Sequence, residues 1–386
     1  MSDTVYFTRE DCDLEAFRTL IRQSLDAVSV PLASEIVQNV PIYDMAALRE
    51  HLNDPTARRA LMAEWAQGLG QGAGVLVLRG AYADTTPIDA ATQVFETIIA
   101  QEKGKGGADH FAASGANDRI WNSLQKLCLA APETFALYFG NLAIDAVCEA
   151  WLGPGYQMTA QVNLVRPGGK AQTAHRDYHL GFQTEDAAMR FPAHVHDLSA
   201  VMTLQGAVAH CDMPVESGPT KLLPFSQMFR PGYLAYRHPD FAAFFEERCI
   251  QLPLAKGDAL FFNPALFHAA GENRSTDIQR MANLLQVSSP FGRAMEAIDR
   301  DAMSRVLYPA MLTLRESNRL TGAEARAAIA ACAEGYSFPT NLDTDPPVGG
   351  LAPETQAALL TRALDSGMNA AALSTELDAL RARRMA

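Results

Sequence analysis

The chain has 386 residues, of which 48% are hydrophobic, so it is long enough to bury a substantial core. Its 44 acidic and 32 basic residues give a formal net charge of −12, which argues against a nucleic-acid-binding surface and against docking to an anionic membrane. The six cysteines are scattered and there is neither a signal-like segment nor a run of about 18 apolar residues, so we expect a cytoplasmic protein without a disulfide framework or a zinc ribbon.

We predict one domain in three parts, because no Ser/Gly-rich or charged linker divides the chain. Apolar residues recur at helical spacing in the first part, which predicts an N-terminal helical region over residues 1–70. Short strands and turns dominate the middle of the chain, so residues 72–290 should form a β-rich core with inserted helices. The alanine-rich sequence over residues 294–386 predicts a C-terminal helical region that either buttresses the core or makes a homodimer contact.

A glycine-rich segment over residues 103–122 interleaves basic and aromatic side chains, and this composition predicts a mobile loop. Two interpretations fit it equally well. In the first, the loop covers a binding site, and Arg119 and Trp121 help to select the substrate. In the second, it is a surface loop with Trp121 tucked into the core.

The most informative pattern is His175-Arg176-Asp177, taken together with the distant His268. Side chains alternate along a strand, so His175 and Asp177 would share one face of a strand. Apolar runs and turns around His268 predict that it lies at a strand end beside a loop. Two imidazoles and one carboxylate form the facial triad that holds non-haem Fe(II) and leaves coordination positions open. The pattern therefore indicates an iron site that performs chemistry.

Spacing alone does not single out this set of residues. His210 and Asp212 share the same His-x-Asp spacing, and His196 lies next to Asp197. In a chain with nine histidines, such a pair also arises by chance. A site that combines His268 with either His-x-Asp pair is compatible with the sequence.

Four segments, in order, resemble the phytanoyl-CoA dioxygenase family of Fe(II)/2-oxoglutarate-dependent oxygenases. They are the first core strand at 74–80, the His-x-Asp strand at 173–179, the acidic, Gly-Pro and Pro-x-Ser signature at 212–226, and the distal segment from Gly257 through His268 to Arg280. The resemblance covers about residues 72–290. It implies an α+β fold, with a double-stranded β-helix (jelly-roll, cupin-like) core flanked by N- and C-terminal helices. It also puts Asp212 outside the metal site, which disfavours His210.

The resemblance further implies roles for named residues. His175, Asp177 and His268 would be the catalytic ligands of Fe(II), with 2-oxoglutarate and O2 as co-substrates. The far carboxylate of 2-oxoglutarate needs a cation, and arginine meets a carboxylate with two parallel hydrogen bonds. Arg280 matches the family position for this role better than Arg274, which lies in the preceding turn.

Several other positions bear on co-substrate and substrate binding. Asn163 and Thr173 are candidate polar contacts to 2-oxoglutarate. Ala270 stands where related enzymes often have serine or threonine, and Arg176 stands where they often have glutamine. His179, two residues beyond Asp177, would face the same side if the strand continues, and it is therefore a candidate for the wall of the substrate pocket.

The implied function is hydroxylation of an unidentified small organic molecule, with conversion of 2-oxoglutarate and O2 to succinate and CO2. The presence of Asp177 favours hydroxylation, or another outcome of hydrogen abstraction such as desaturation, because halogenating relatives lack this carboxylate. Two alternatives stay open. One is a cupin-like metalloenzyme that does not use 2-oxoglutarate, and the other is a non-catalytic binding protein on the same fold. The expected partner is a small molecule, with neither nucleic acid nor membrane.

Overall fold

A computed structural model describes residues 4–103, 117–337 and 340–385 of the chain. Its strands are β1 (Glu35–Val37), β2 (Val40–Asp44), β3 (Val75–Arg79), β4 (Asn117–Ile120), β5 (Gln157–Val165), β6 (Thr203–Ala209), β7 (Lys221–Leu222), β8 (Ala259–Phe262), β9 (His268–Ala269) and β10 (Arg280–Ser288). Its α-helices are α1 (Leu14–Ile21), α2 (Met45–Leu48), α3 (Pro55–Gly70), α4 (Thr86–Lys103), α5 (Ser123–Ala130), α6 (Pro132–Phe139), α7 (Leu142–Leu152), α8 (Glu185–Ala188), α9 (Ala193–Val201), α10 (Gly232–Ala235), α11 (Pro239–Arg248), α12 (Arg300–Glu316), α13 (Gly322–Cys332), α14 (Gln356–Ser366) and α15 (Ala370–Arg384).

Eight strands form a major sheet in the order β1-β2-β3-β8-β6-β10-β5-β4. All neighbouring strands in it are antiparallel except β2 and β3. The long strand β10 pairs along its whole length with β5 on one side, and over Ala282–Ser288 with β6 on the other. Because side chains alternate along a strand, one face of this sheet carries apolar residues into the helical core, and the other face is turned towards a second, smaller sheet.

The smaller sheet is built from short pieces of chain. Strand β7 pairs with β9, and two isolated bridges extend the sheet, from His175 to His268 and from Leu222 to Ile250. Apolar residues of both sheets pack in one cluster, with Val75 and Leu260 from the major sheet against Leu222 of the smaller one. The two facing, mainly antiparallel sheets form a double-stranded β-helix, so the predicted α+β fold with this core is confirmed.

Helices cover the outer face of the major sheet. The C-terminal helices belong to this layer, since Leu359 of α14 and Leu373 of α15 are buried in the same cluster as the inner strands. They therefore buttress the core, and their predicted contribution to a homodimer stays a prediction. Within the described ranges, no single helix has both the length and the apolar composition of a membrane span, and α6 and α7 meet that test only together, across a bend of 65°.

The structure departs from the predicted outline in two places. Within the N-terminal region over residues 1–70, β1 and β2 form a hairpin among the helices, and its turn residues, Gln38 and Asn39, have φ of 52° and 68°. Asparagine tolerates this left-handed region, and burial of Val40 and Ile42 at the edge of the major sheet stabilises the hairpin. Of the predicted loop over 103–122, residues 104–116 lie outside the described part, and 117–120 form strand β4 rather than loop.

Packing on β6 allows a sharp test of the sheet. A Cβ added at Gly206 would lie 2.5 Å from the ring of Phe261, its buried partner on β8, so Gly206→Ala forces that packed ring to move. We expect a loss of about 1–3 kcal/mol in the free energy of unfolding, measured by urea titration. Gly68→Ala is the matched control, because nothing in the structure lies within 4 Å of that Cβ, and alanine stabilises a helix interior by about 0.5–1 kcal/mol. Unchanged stability of Gly206→Ala would contradict the packing.

Candidate metal centre

The backbone pairing of His175 with His268 builds the site. The N–H of His175 donates to the carbonyl of His268 at 3.0 Å, and the N–H of His268 donates back to His175 at 3.2 Å. Residues that exchange both bonds in this way lie directly opposite each other, with side chains on the same side. Their ring centroids are 4.4 Å apart. Two residues on, the N–H of Asp177 donates to Pro264 at 3.1 Å, which keeps Asp177 beside the same segment.

The three side chains converge on one point. One ligand atom from each of His175, Asp177 and His268 lies within 4.8 Å of the other two. Nε2 of His268 is 3.3 Å from Oδ2 of Asp177, and Nε2 of His175 is 3.8 Å from Oδ1. Ligands bound at right angles and about 2.1 Å from a metal are about 3 Å apart, so the set fits a small transition-metal ion. No second cluster of this kind occurs in the residues that the structure describes.

Hydrogen bonds to the backbone orient both imidazoles. Nδ1 of His175 lies 2.9 Å from the carbonyl of Thr173, and Nδ1 of His268 lies 2.8 Å from the carbonyl of Leu266. A carbonyl only accepts, so each Nδ1 carries the proton and each Nε2 is left with a lone pair towards the centre. Both rings are therefore held in the tautomer that a metal requires.

The electrostatics of the centre favour the metal-binding protonation states. Burial and the neighbouring ring of His268 lower the pKa of His175, which favours its neutral form. Burial acts to raise the pKa of Asp177. However, the contact with His268, the charges of both histidines and the amide of Gln205 outweigh burial and hold this pKa well below its usual range. A neutral imidazole and an ionised carboxylate are the forms that bind a metal.

The three ligands line a cavity of about 590 Å³ between the two sheets. Arg280 lines the same cavity and is 7% exposed, with Nη1 donating to the carbonyl of Ser217 at 3.2 Å. Burial lowers the pKa of its guanidinium to about 10. No carboxylate of the described residues forms an ion pair with Arg280. Arg274, the other arginine considered for binding the far carboxylate of 2-oxoglutarate, is exposed and lies outside the cavity lining.

The other predicted contact residues also lie at this cavity, with one exception. Asn163 lines it from β5, and its Oδ1 is buried without a hydrogen-bond partner. Thr173 lines it beside His175. Trp121 is 41% exposed and lines the cavity, with the Arg119 guanidinium 5.3 Å from its ring centre, so the interpretation that Trp121 is tucked into the core is wrong.

His179 is the exception. The extended segment around His175 and Asp177 ends at Asp177, because Tyr178 and His179 have φ of 63° and 41° and start a short 3₁₀ turn. His179 is exposed, its Nδ1 lies 3.2 Å from the hydroxyl of Ser199, and it is not part of the cavity lining. The expectation that it shares the face of Asp177 is therefore wrong, since that expectation assumed an uninterrupted strand.

The competing histidine His210 points to the opposite face of the major sheet. Its Nδ1 is 2.8 Å from the hydroxyl of Thr92, and its Nε2 is 2.8 Å from the hydroxyl of Tyr138. Burial lowers its pKa to about 3. Asp212 is exposed and accepts from the backbone N–H of Lys256 at 2.9 Å. His210 is thus a hydrogen-bonded core residue, and it does not join Asp212 in a cluster.

Arg176 stands between the two ligands in sequence, and its side chain is an anchor. Its Nη2 donates to the carbonyls of Ser226 at 2.6 Å and Phe229 at 2.8 Å. Its guanidinium lies 5.0 Å from the ring centre of Tyr233 and 5.2 Å from that of Phe267. Carbonyls and aromatic faces are favourable partners for a buried cation, so this residue fixes the segment that carries His175 and Asp177.

The sequence analysis did not single out the two glutamines that bond to Asp177 and to its neighbour Tyr178. Gln205 of β6 donates from Nε2 to Oδ2 of Asp177 at 2.5 Å, and Gln286 of β10 accepts from the hydroxyl of Tyr178 at 3.0 Å. Both line the cavity. The available signal was a glutamine in the middle of an otherwise apolar strand, where a buried amide needs a polar partner.

The chain matches one family model and parts of two curated relatives. The model of the family described as phytanoyl-CoA dioxygenase (PhyH) matches residues 70–282, which is more than half of the chain. Dioxygenase andF of Emericella variicolor is 28% identical over 144 residues, covering 36% of this chain and 44% of the relative. Dioxygenase trt7 of Aspergillus terreus is 27% identical over 136 residues, covering 35% and 42%. The matched region thus spans less than half the length of either curated relative.

Solved structures of low identity also resemble the chain. The epimerase SnoN from nogalamycin biosynthesis, in complex with Fe3+, alpha ketoglutarate and nogalamycin RO, is 18% identical with a TM-score of 0.41, over 61% of this chain and 85% of that one. The non-heme alpha ketoglutarate dependent carbocyclase SnoK is 17% identical with a TM-score of 0.43, over 62% and 89%.

Substitution by phenylalanine should have opposite effects at His175 and at His210. We expect His175→Phe to weaken Fe(II) binding by more than the roughly 10- to 100-fold that loss of an outer-shell partner costs, because a ligand itself is removed. We expect His210→Phe to bind Fe(II) like the wild type and to lose about 1–3 kcal/mol of stability, because Thr92 and Tyr138 lose their partner. Anaerobic Fe(II) titration and thermal melting measure both effects. Loss of iron binding in a folded His210→Phe protein would show that this assignment is wrong.

Proposed function

Because the chain belongs to the phytanoyl-CoA dioxygenase family, we propose that it is an Fe(II)- and 2-oxoglutarate-dependent dioxygenase that hydroxylates a small organic substrate. The reaction would convert 2-oxoglutarate and O2 to succinate and CO2. The observation that carries the proposal is the convergence of His175, Asp177 and His268 within 4.8 Å on the wall of a cavity. Three protein ligands on one side of a metal leave its other positions open to reactants.

The donor set fits Fe(II), and the chain's own residues prepare it. Bound iron would supply oxygen activation and the removal of a hydrogen atom from the substrate. The backbone bonds to Thr173 and Leu266 hold the two imidazole planes, and Gln205 holds the carboxylate of Asp177. Such outer contacts fix ligand orientation and raise ligand basicity, so the site is organised before a metal arrives.

Arg280 is proposed to bind the far carboxylate of 2-oxoglutarate. A buried guanidinium without an acidic partner is costly, and an incoming carboxylate would compensate it with two parallel hydrogen bonds. Asn163 and Thr173 are proposed as further contacts, since both border the same cavity. Ala270 brings no hydroxyl to this wall, whereas Thr220 lines it and could supply one.

Arg119 and Trp121 are proposed to contact the substrate. They line the cavity from β4 and from the residue that follows it, and the stacked guanidinium and indole present a flat, amphipathic surface. We further propose that residues 1–386 act as one oxygenase domain, because the N- and C-terminal helices share the main hydrophobic core with the sheet.

Anaerobic titration of the Fe(II)-loaded protein with 2-oxoglutarate tests the proposal directly. We expect the weak visible charge-transfer band of the iron chelate. In Arg280→Ala the dissociation constant for 2-oxoglutarate should rise about 30-fold or more, because loss of a buried charged partner costs about 2 kcal/mol or more. Arg274→Ala is the matched control and should titrate like the wild type, since its side chain is exposed.

Other results would redirect the assignment. Iron bound without a band, and without consumption of 2-oxoglutarate, would identify a cupin-like metalloenzyme of another kind. Absence of iron after anaerobic reconstitution would favour a non-catalytic binding protein. A band that weakens equally in Arg280→Ala and Arg274→Ala would contradict the assignment of Arg280.

A further inference from the structure

Two glutamines lie side by side on the cavity wall next to Asp177. Gln205 of β6 and Gln286 of β10 are register partners in the antiparallel sheet, so their side chains project from the same face. Each is 8% exposed, and each lines the cavity. They are therefore a buried polar pair within the reach of whatever the cavity binds.

The orientation of the Gln205 amide follows from its neighbour. Oδ2 of Asp177 lies 2.5 Å from Nε2 of Gln205, and an ionised carboxylate can only accept a hydrogen bond. The NH2 group must therefore face Asp177, which turns Oε1 away. That Oε1 atom is buried and has no hydrogen-bond partner in the described protein. Gln205 thus presents one free acceptor.

Gln286 has the complementary arrangement. The hydroxyl of Tyr178 donates to its Oε1 at 3.0 Å, so its NH2 group is on the other side. Among the described residues no acceptor pairs with this NH2 group, and it does not bond to Gln205, whose Oε1 is unpaired. Gln286 therefore offers a free donor beside the free acceptor of Gln205.

The unpaired, buried Oε1 of Gln205 lowers stability unless a ligand or water supplies the missing partner. We propose that Oε1 of Gln205 and Nε2 of Gln286 recognise an uncharged substrate group that donates and accepts at adjacent positions, namely an amide or a hydroxyl. The proposal rests on the proposed function, because it assigns the substrate class of the same site. Binding of that group would hold the neighbouring C–H bonds of the substrate beside Asp177 and hence beside the metal.

The pair disfavours a charged group. A carboxylate would accept from Gln286 but would repel the carbonyl oxygen of Gln205, and a cation would meet the N–H groups of Gln286. Two arginines of the cavity, Arg119 and Arg280, lie away from the pair, since Arg119 is on β4, two strands from β10. Arg237 donates to the carbonyls of Gly181 at 3.0 Å and Gln183 at 2.8 Å. Arg280 lies six residues from Gln286 on β10, which is about 20 Å along the strand.

Three small probes of similar size distinguish recognition of an uncharged donor–acceptor group from recognition of an acceptor alone or of an anion. 2-Piperidone carries N–H and C=O on one edge, N-methyl-2-piperidone lacks the donor, and pentanoate carries a negative charge. Binding to the anaerobic protein loaded with Fe(II) and 2-oxoglutarate is measured by the relaxation that Fe(II) induces in the probe protons. We expect 2-piperidone to bind at least about fivefold more tightly than either other probe, since one hydrogen bond is worth about that factor.

Variants of Gln286 connect the preference to the pair. Gln286→Glu keeps the acceptor for Tyr178 and removes the donor, and Gln286→Leu removes both, so the preference for 2-piperidone should disappear in each. Gln93→Leu is the control, because Gln93 is exposed on α4 away from the cavity. If Gln286→Leu does not fold, Gln286→Glu and the three-probe comparison on the wild type still decide.

The outcomes separate this inference from the proposed function. Equal binding of the three probes, preferred binding of pentanoate, or no detectable binding of 2-piperidone would overturn the recognition pair, even if the protein shows the 2-oxoglutarate charge-transfer band. Absence of that band would overturn the proposed function, whatever the probes do. A preference that survives in both Gln286 variants would place the recognition elsewhere in the cavity and would also overturn the pair.

Discussion

The reciprocal backbone pairing of His175 with His268 is the constraint on which the site depends. Two ligands from distant parts of the chain are placed opposite each other by main-chain hydrogen bonds rather than by their side chains. His268 is held from both sides, because Leu222 of β7 is its partner across the other edge. Side-chain contacts then add direction, with each Nδ1 tied to a carbonyl two residues earlier. A metal site built in this way inherits the rigidity of the sheet.

Because side chains alternate along each strand, the two faces of the major sheet carry different sets of buried polar residues. The inner face carries the cavity, with Gln205, Gln286 and Asn163 among apolar neighbours. The outer face packs against helices and has its own buried polar contacts, in which His210 joins Thr92 and Tyr138. A one-residue shift in register would exchange these two sets, so the pairing of β10 with β5 and β6 fixes the chemistry as well as the fold.

The sequence predicted best where a pattern was strong and uninterrupted. The apolar runs of β5, β8 and β10 were recognisable, and the ordered motifs identified the family and the double-stranded β-helix. The hairpin of β1 and β2 was missed because its strands are short, and its turn uses Gln38 and Asn39 rather than glycine. The turn after Asp177 was missed because no glycine, proline or asparagine marks its start, although Tyr178 and His179 adopt positive φ there. The roles of Gln205 and Gln286 depend on neighbours that only the folded chain brings together.

The anchor formed by Arg176 constrains more than its own position. A Cβ at residue 232 would lie 2.0 Å from Cζ of Arg176, so the guanidinium occupies the space that any other residue at Gly232 would need. The two positions are therefore not free to diverge independently. A glutamine at position 176 is shorter than arginine and would leave that space open, so position 232 could then carry a larger residue. An arginine at position 176, in contrast, requires that glycine is already present at position 232. The order in which these two substitutions can be accepted is thus set by sterics, and the pair should co-vary across the family.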